Sequence, residues 1–328
     1  MSPTPAVQPF LTRFELTAPL VQGPMGGISG PRLVAAVCNA GSLGILPIWA
    51  LPPKHVAASI AAARALTQRR FAVNVRADLK QLEHIDIALD CGVTDFHLFW
   101  GDAEPSMAPL RRAGATVLAT VSDGDSTRAA LDTGASVLIA QGVEAGGHVR
   151  SETPLATLLP QTIELASSQE GVLVLAAGGC ATAADVDQQL TAGAAGVLLG
   201  TRFAASSEAD AHPEYQRALL RAGPNDTVRS LCFDDGWSNA PHRTLINDTW
   251  RRWQGAGAPG KGHRPGEADA IMHSKAGRAV YRYSMNPPMQ GMTGTVTDAA
   301  MYAGTSAARL EHVLPAAQII QSLYPQPD

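Results

Sequence analysis

The chain has 328 residues, 45% hydrophobic and 16% charged, so it can bury a large core and is neither disordered nor fibrous. A formal charge of -4, with no lysine- or arginine-dense block, argues against a nucleic-acid partner. Cys38, Cys91, Cys180 and Cys232 are scattered without C-x-x-C spacing, which suggests neither a zinc site nor a disulfide framework.

The opening MSPTPAVQPFLTRFEL lacks a basic segment followed by an apolar core, so it does not read as a signal peptide. No apolar run reaches the length of a membrane span. The expected setting is therefore soluble and cytoplasmic, with no membrane partner.

From Pro19 the sequence alternates short apolar strands, glycine-bearing loops and alanine-rich amphipathic helices. Eight strands are predicted, at Leu20 to Gln22, Leu43 to Leu46, Phe71 to Val75, Asp95 to Phe99, Thr116 to Val121, Val137 to Ala140, Val172 to Ala176 and Gly196 to Leu199. Predicted helices between them include Pro31 to Asn39, Pro53 to Leu66, Thr127 to Thr133 and Ala183 to Ala192. Strand, helix, strand at this spacing demands right-handed parallel crossovers, and eight units favour an α/β fold of the closed (β/α)₈ TIM-barrel type. Gly41, Gly114, Gly134 and Gly193 each fall between a helix and the next strand and read as helix C-caps at the barrel's lower face.

A helix is expected from His212 to Ala222, after which the rhythm breaks. Residues 1–222 read as the barrel. Residues 223–297 read as an insertion with sparse regular structure, a substrate lid or cap. Residues 298–328 regain helical periodicity and read as a C-terminal helix packing back on the barrel.

Chemistry concentrates at the strand ends. VLIAQGVEAGGHVR, Val137 to Arg150, runs from a buried strand into a loop with Gln141, Glu144, Gly146, Gly147 and His148. His148 thus sits at a strand's carboxyl end, where α/β proteins place ligands and catalytic groups. The plainer reading, a loop histidine satisfied by backbone, stands beside it. Gly178-Gly179 after the seventh strand and Gly200-Thr201 after the eighth fall where such barrels hold a phosphate. Asn74 and Gln141 offer donors and acceptors suited to the edge of a flavin pyrimidine ring. Met25, Gly26 and Gly27 let backbone lie against that ring. Together these signals point to a mononucleotide cofactor in the barrel mouth.

QGPMGG, FAVN, QGVEAGGH, AAGG and GTRF, in this order, resemble the nitronate monooxygenase family, formerly 2-nitropropane dioxygenases, and its neighbours the FMN-dependent enoyl-acyl-carrier-protein reductases. The resemblance runs from about Pro19 to Phe203 and returns at MYAGTSA. It implies FMN in a TIM barrel, contacted by Met25, Gly26, Asn74, Gln141, Gly146, Gly178, Gly179, Gly200 and Thr201, with His148 catalytic. The implied reaction oxidises an alkyl nitronate, a small-molecule substrate, with O2 to a carbonyl compound and nitrite. His148 would either hold the nitronate as imidazolium or remove the α-proton of a nitroalkane as neutral imidazole.

Three departures mark this chain. Val149-Arg150 stand where the family commonly has Arg-Gly, Cys180 where it has an aliphatic residue, and Thr305 where the tail often has Gln. The alternatives are an NAD(P)H-dependent flavin enoyl reductase and a flavin-binding protein without catalysis. In the insertion, His242-Arg243 is the candidate for meeting an anionic substrate. Its histidine spacings match no zinc pattern, so no metal is expected. Trp237, Trp250 and Trp253 read as packing the insertion on the barrel, or as anchors for a partner protein. The oligomeric state is not legible.

Overall fold

The computed structural model describes residues 5–325. Eight parallel strands close into a barrel in sequence order: Leu20–Gln22, Leu43–Pro47, Ala72–Arg76, Asp95–Phe99, Thr116–Val121, Val137–Gln141, Leu173–Ala177 and Gly196–Leu199. The ring shuts where Leu20, Val21 and Gln22 pair with Val197, Leu198 and Leu199. Helices cross over between strands, as the predicted alternation requires, and Gly41, Gly114, Gly134 and Gly193 all take positive φ at the helix exits.

The two-residue period of each strand sorts its side chains. Val21, Ile45, Ala72, Leu118, Val137, Ile139 and Leu175 fill the barrel interior. Their neighbours Leu46, Val73, Val117, Leu138 and Val174 face the helices. The interior is completed from below by a helix that the sequence reading did not propose, Val7–Phe14, whose Phe10 and Phe14 join the inner cluster. Phe10 sits so close to the eighth strand that a Cβ on Gly196 would lie 2.9 Å from its ring. Phe10→Ala should therefore open a cavity in the barrel floor and cost about 3–5 kcal/mol. Calorimetry would register this as a clear drop in thermal midpoint, whereas an unchanged midpoint would mean the helix does not close the barrel.

The insertion holds more regular structure than the sequence suggested. It contains strands Thr227–Ser230, His242–Leu245, Ala270–His273, Ala279–Tyr281 and Thr293–Gly294 and the helix Asp248–Gly255. These strands are two to four residues long and interrupted by Gly and Pro, so they carry little periodic signal. His242–Leu245 is the middle strand of a three-stranded sheet whose far edge is Gly147–His148, from the loop after the sixth barrel strand. That pairing ties the insertion to the barrel mouth.

The tail also differs from the expected continuous helix. Residues 299–304 run extended past the mouth, a short 3₁₀ turn follows at Thr305–Arg309, and among the described residues of the tail only Ala316–Leu323 is α-helical. The extended stretch is imposed by close approach. A Cβ on Gly304 would lie 2.8 Å from the Glu144 carbonyl oxygen and 2.9 Å from Gly146 nitrogen. The final helix packs Ile319, Ile320 and Leu323 with Leu33, Val37 and Leu190 of the flanking helices.

Candidate active site

The carboxyl ends of the strands gather the predicted residues at one mouth. Gly178 and Gly179 take φ of +119° and +72°, a backbone path that few other residues follow. Beyond Gly147 and Gly200 a Cβ would meet nothing within 4 Å, so both face open space. Thr201 is buried, and its Oγ1 accepts from Gly304 N at 2.9 Å, which brings the tail over the eighth strand. Gln141 Nε2 donates to the His148 carbonyl at 3.3 Å. Met25 is half-buried and its N–H donates to Ser29 Oγ at 3.0 Å. Gly26 lies under Trp49 and Gly27 under Met289.

Asn74 is buried in the third strand, with its amide nitrogen 3.1 Å from both the His97 carbonyl and His97 Nδ1. His97 Nε2 then reaches Thr120 Oγ1 at 2.7 Å. Burial pushes the His97 pKa down to about 3, so it is neutral and holds Asn74 in place. Cys180 is buried with its thiol pushed up to about 12 by burial, which suits a packing role. Glu144 receives the Leu155 N–H at 3.0 Å and so caps the following helix.

His148 stands among aromatic rings. Its ring stacks on Trp237 with centroids 3.9 Å apart and meets the edge of Trp100 at 6.0 Å. Its Nε2 is sealed from solvent and has no hydrogen-bond partner. Burial first, then His242 and Arg76, hold its pKa well below the ordinary histidine value, so the imidazole is neutral at pH 7.

His242 and Arg243 do not open onto this space. His242 is fully buried, and its Nδ1–H donates to the Ala240 carbonyl at 2.9 Å while Nε2 accepts from Phe233 N at 3.1 Å. Both nitrogens are taken by the turn that carries Trp237. Arg243 directs Nε and Nη2 to the Val143 carbonyl, clamping the loop before His148. Trp250 and Trp253 pack on Phe233 and Tyr283 within the insertion.

Other site residues escaped the sequence reading. Arg76, two residues after Asn74, is buried, pairs with Asp78 at 2.6 Å, and lies 5.4 Å from the centre of the Trp49 ring. Trp100 follows the fourth strand directly and Trp49 lies two residues past the second, strand-end positions that were available as a signal. Trp100 holds φ of +64°, an uncommon conformation for a bulky residue and of a kind that clusters at functional sites.

Acid should disarm this arrangement. Burial lowers the His242 pKa to about 4, and its Nε2 must stay unprotonated to accept from Phe233. An unfolded histidine takes up its proton near 6.5, so the stability His242 and His97 contribute is complete above that pH. It is lost as pH falls from about 6.5 toward about 4 and about 3. The thermal midpoint should drop steadily between pH 6.5 and 4.5, and His242→Gln, whose amide oxygen can still accept, should flatten that slope. A midpoint unchanged over this range would contradict the neutral-histidine assignment.

Comparison with known proteins agrees with this architecture. The nitronate monooxygenase family model matches residues 8–92 and 93–326. The chain is 35% identical over 230 residues to (3aS,4S,5R,7aS)-5-hydroxy-7a-methyl-1-oxo-octahydro-1H-indene-4-carboxyl-CoA dehydrogenase of Mycobacterium tuberculosis, covering 69% of this chain and 62% of that one. It spans about three-fifths of the length of the first two curated relatives it matches. To a probable nitronate monooxygenase of Bacillus subtilis it is 30% identical over 282 residues, 73% of this chain and 79% of the other. Among solved structures, FabK from Thermotoga maritima superposes with a TM-score of 0.76 at 27% identity, covering 95% of this chain and 93% of that one. Nitroalkane oxidase from Streptomyces ansochromogenes gives 0.75 at 29%, covering 95% and 96%. The chain belongs to the nitronate monooxygenase family.

Proposed function

We propose that the protein is an FMN-dependent nitronate monooxygenase that oxidises small alkyl nitronates with O2, and that His148 is its catalytic residue. One observation carries the reading: a neutral imidazole with a sealed, unpartnered Nε2 stands beside a glycine-lined mouth. The residues fit a flat phosphorylated ligand. Gly178, Gly179, Gly200 and Thr201 would hold the phosphate, Asn74 and Gln141 the ring edge, and Met25, Gly26, Gly27, Gly146 and Gly147 would line the approach. The flavin, when bound, supplies the electron acceptor that the oxidation needs.

The protein's own groups set up the substrate. With His148 neutral, its Nε2 takes the α-proton of a nitroalkane, and the C–H electron pair moves into a carbon–nitrogen double bond. Negative charge gathers on the nitro oxygens, and the Arg76 guanidinium lies near enough to depress the His148 pKa and so favours that anion. A preformed nitronate needs no such base. Two nitronates and one O2 balance two carbonyl compounds and two nitrites. Residues 223–297 act as the cap over the mouth and residues 298–328 as the strap that returns to the barrel. His242 serves in this scheme as a staple of the cap rather than a substrate contact.

Oxygen uptake and nitrite release with propionate 3-nitronate and small alkyl nitronates, set against NAD(P)H oxidation under the same conditions, tests the reading. Nitrite without nicotinamide consumption is expected, and the heat-released cofactor should run as FMN. Rapid NAD(P)H consumption without nitrite would instead select an enoyl-reductase activity, and FAD would overturn the cofactor assignment.

A further inference from the structure

Trp237 comes from the inserted segment, yet its ring lies in the centre of the site. Arg76 Cζ stands 3.3 Å from its ring centre, and the His148 ring centre 3.9 Å away. A guanidinium and an imidazole cannot share one face at these distances, so they take opposite faces and the indole is clamped between them. Further rings close around it, with Trp49 at 5.6 Å, Trp100 at 5.1 Å and Phe99 at 6.2 Å.

Both faces being occupied, only the edge of the indole can meet a ligand. On that edge Nε1–H is buried and has no hydrogen-bond partner. The residue is only 5% exposed, so water does not readily answer the donor. An unmade bond at a buried donor is costly, and the ring that carries it stacks on His148, whose Nε2 is also buried and unpartnered. One small group with an acceptor oxygen and an adjoining C–H would satisfy both.

The surroundings hold the indole in place for that contact. Its turn is closed by the Phe233 N–H bond to His242 Nε2 and by Trp237 N donating to the Asp234 carbonyl at 3.0 Å. Asp234 is in turn paired with buried Arg264, and Asp235 N donates to the Tyr283 carbonyl at 3.1 Å. A donor whose ring is clamped and whose turn is stapled costs little reorganisation when charge develops in front of it.

We propose that Trp237 is a further catalytic residue, donating its Nε1–H to an oxygen of a small planar oxyanion, the nitro or nitronate group, held at His148. The assignment of that anion to catalysis rests on the monooxygenase reading above; the binding of an oxyanion at Trp237 does not. Trp250 provides an internal control, because its Nε1 is also buried and unpartnered but lies in the outer cluster of the insertion.

The experiment uses the flavin-loaded protein and nitrite as an unreactive planar oxyanion, with binding read from perturbation of the flavin spectrum. Trp237→Phe keeps a flat ring and removes the donor, so nitrite affinity should fall about 10- to 100-fold, the loss expected for one hydrogen bond to a charged group. The kcat for nitroalkanes should fall with it. Trp250→Phe should leave both unchanged, and Trp237→His, which restores an N–H on a planar ring, should recover part of the affinity. Should Trp237→Phe not fold, Trp237→His compared with Trp237→Leu carries the same contrast. Nitrite affinity equal in wild type and Trp237→Phe would overturn the proposal, even if nitronate turnover is intact. Absence of nitrite release by the wild type would overturn the monooxygenase reading and leave the anion titration to decide Trp237.

Discussion

His148→Asn is expected to keep its flavin and to lose nitroalkane turnover by about 10²- to 10⁴-fold, the usual loss for a positioned base. Asparagine has no nitrogen that takes a proton at neutral pH, and it cannot reproduce the stack on Trp237. The glycines after the seventh and eighth strands are untouched by the change, so cofactor affinity should stay near that of the wild type. A preformed nitronate has already lost its proton, so its turnover should fall less than that of the parent nitroalkane. The pH profile carries the same signature. Since the His148 pKa is held well below the ordinary value, wild-type kcat/KM for nitroalkanes should be level from neutral pH down through pH 6 and fall only in stronger acid. Wild-type rates in the variant would return His148 to the status of a loop residue.

Gly146→Ala is expected to be strongly destabilising. A Cβ there would lie 2.6 Å from the Ala303 carbonyl carbon and closer still to Gly304 N, and neither backbone atom can turn aside as a side chain would. Overpacking of this kind costs roughly 1–3 kcal/mol or more, and relief requires the strap at 303–304 to lift off the loop that leads to His148. Thr201 then loses its bond from Gly304 N, and Thr305 N its bond to the Glu144 carbonyl. The variant should melt earlier and purify with little flavin. Gly147→Ala gives the contrast. Its φ of +78° is strained for alanine, but no atom stands within 4 Å of the new methyl, so the cost should be only about 1–2 kcal/mol. Equal stability of the two variants would contradict the close approach.

The barrel was legible because its signal is local. Each strand is a short apolar run ended by glycine or a polar group, and each crossover helix has a proline, capped start or glycine exit. The mouth followed from that order, since strand ends of a closed barrel must converge. What escaped the sequence depends on contacts between distant segments. Trp237 meets His148 across 89 positions because short insertion strands pair with Gly147–His148, and nothing in the spacing of those strands announces it. His242 looked chemically available and proved to be enclosed, because its partners, Phe233 N and the Ala240 carbonyl, are backbone atoms with no side-chain signature. The N-terminal helix was overlooked for a different reason. Phe10 and Phe14 are spaced as one helical face, but eight residues give too little periodicity to distinguish a barrel plug from a lead-in segment. Arg76 could have been noticed, since an arginine two residues after Asn74 in an otherwise apolar strand is an uncommon charge to bury.

The most direct measurement mixes the purified yellow protein with ethyl nitronate in the absence of oxygen and follows the flavin absorbance. Bleaching by the nitronate is expected, followed on admitting O2 by return of the colour and release of nitrite, with no nicotinamide present. A flavin that stays oxidised with the nitronate and bleaches only with NAD(P)H would contradict it.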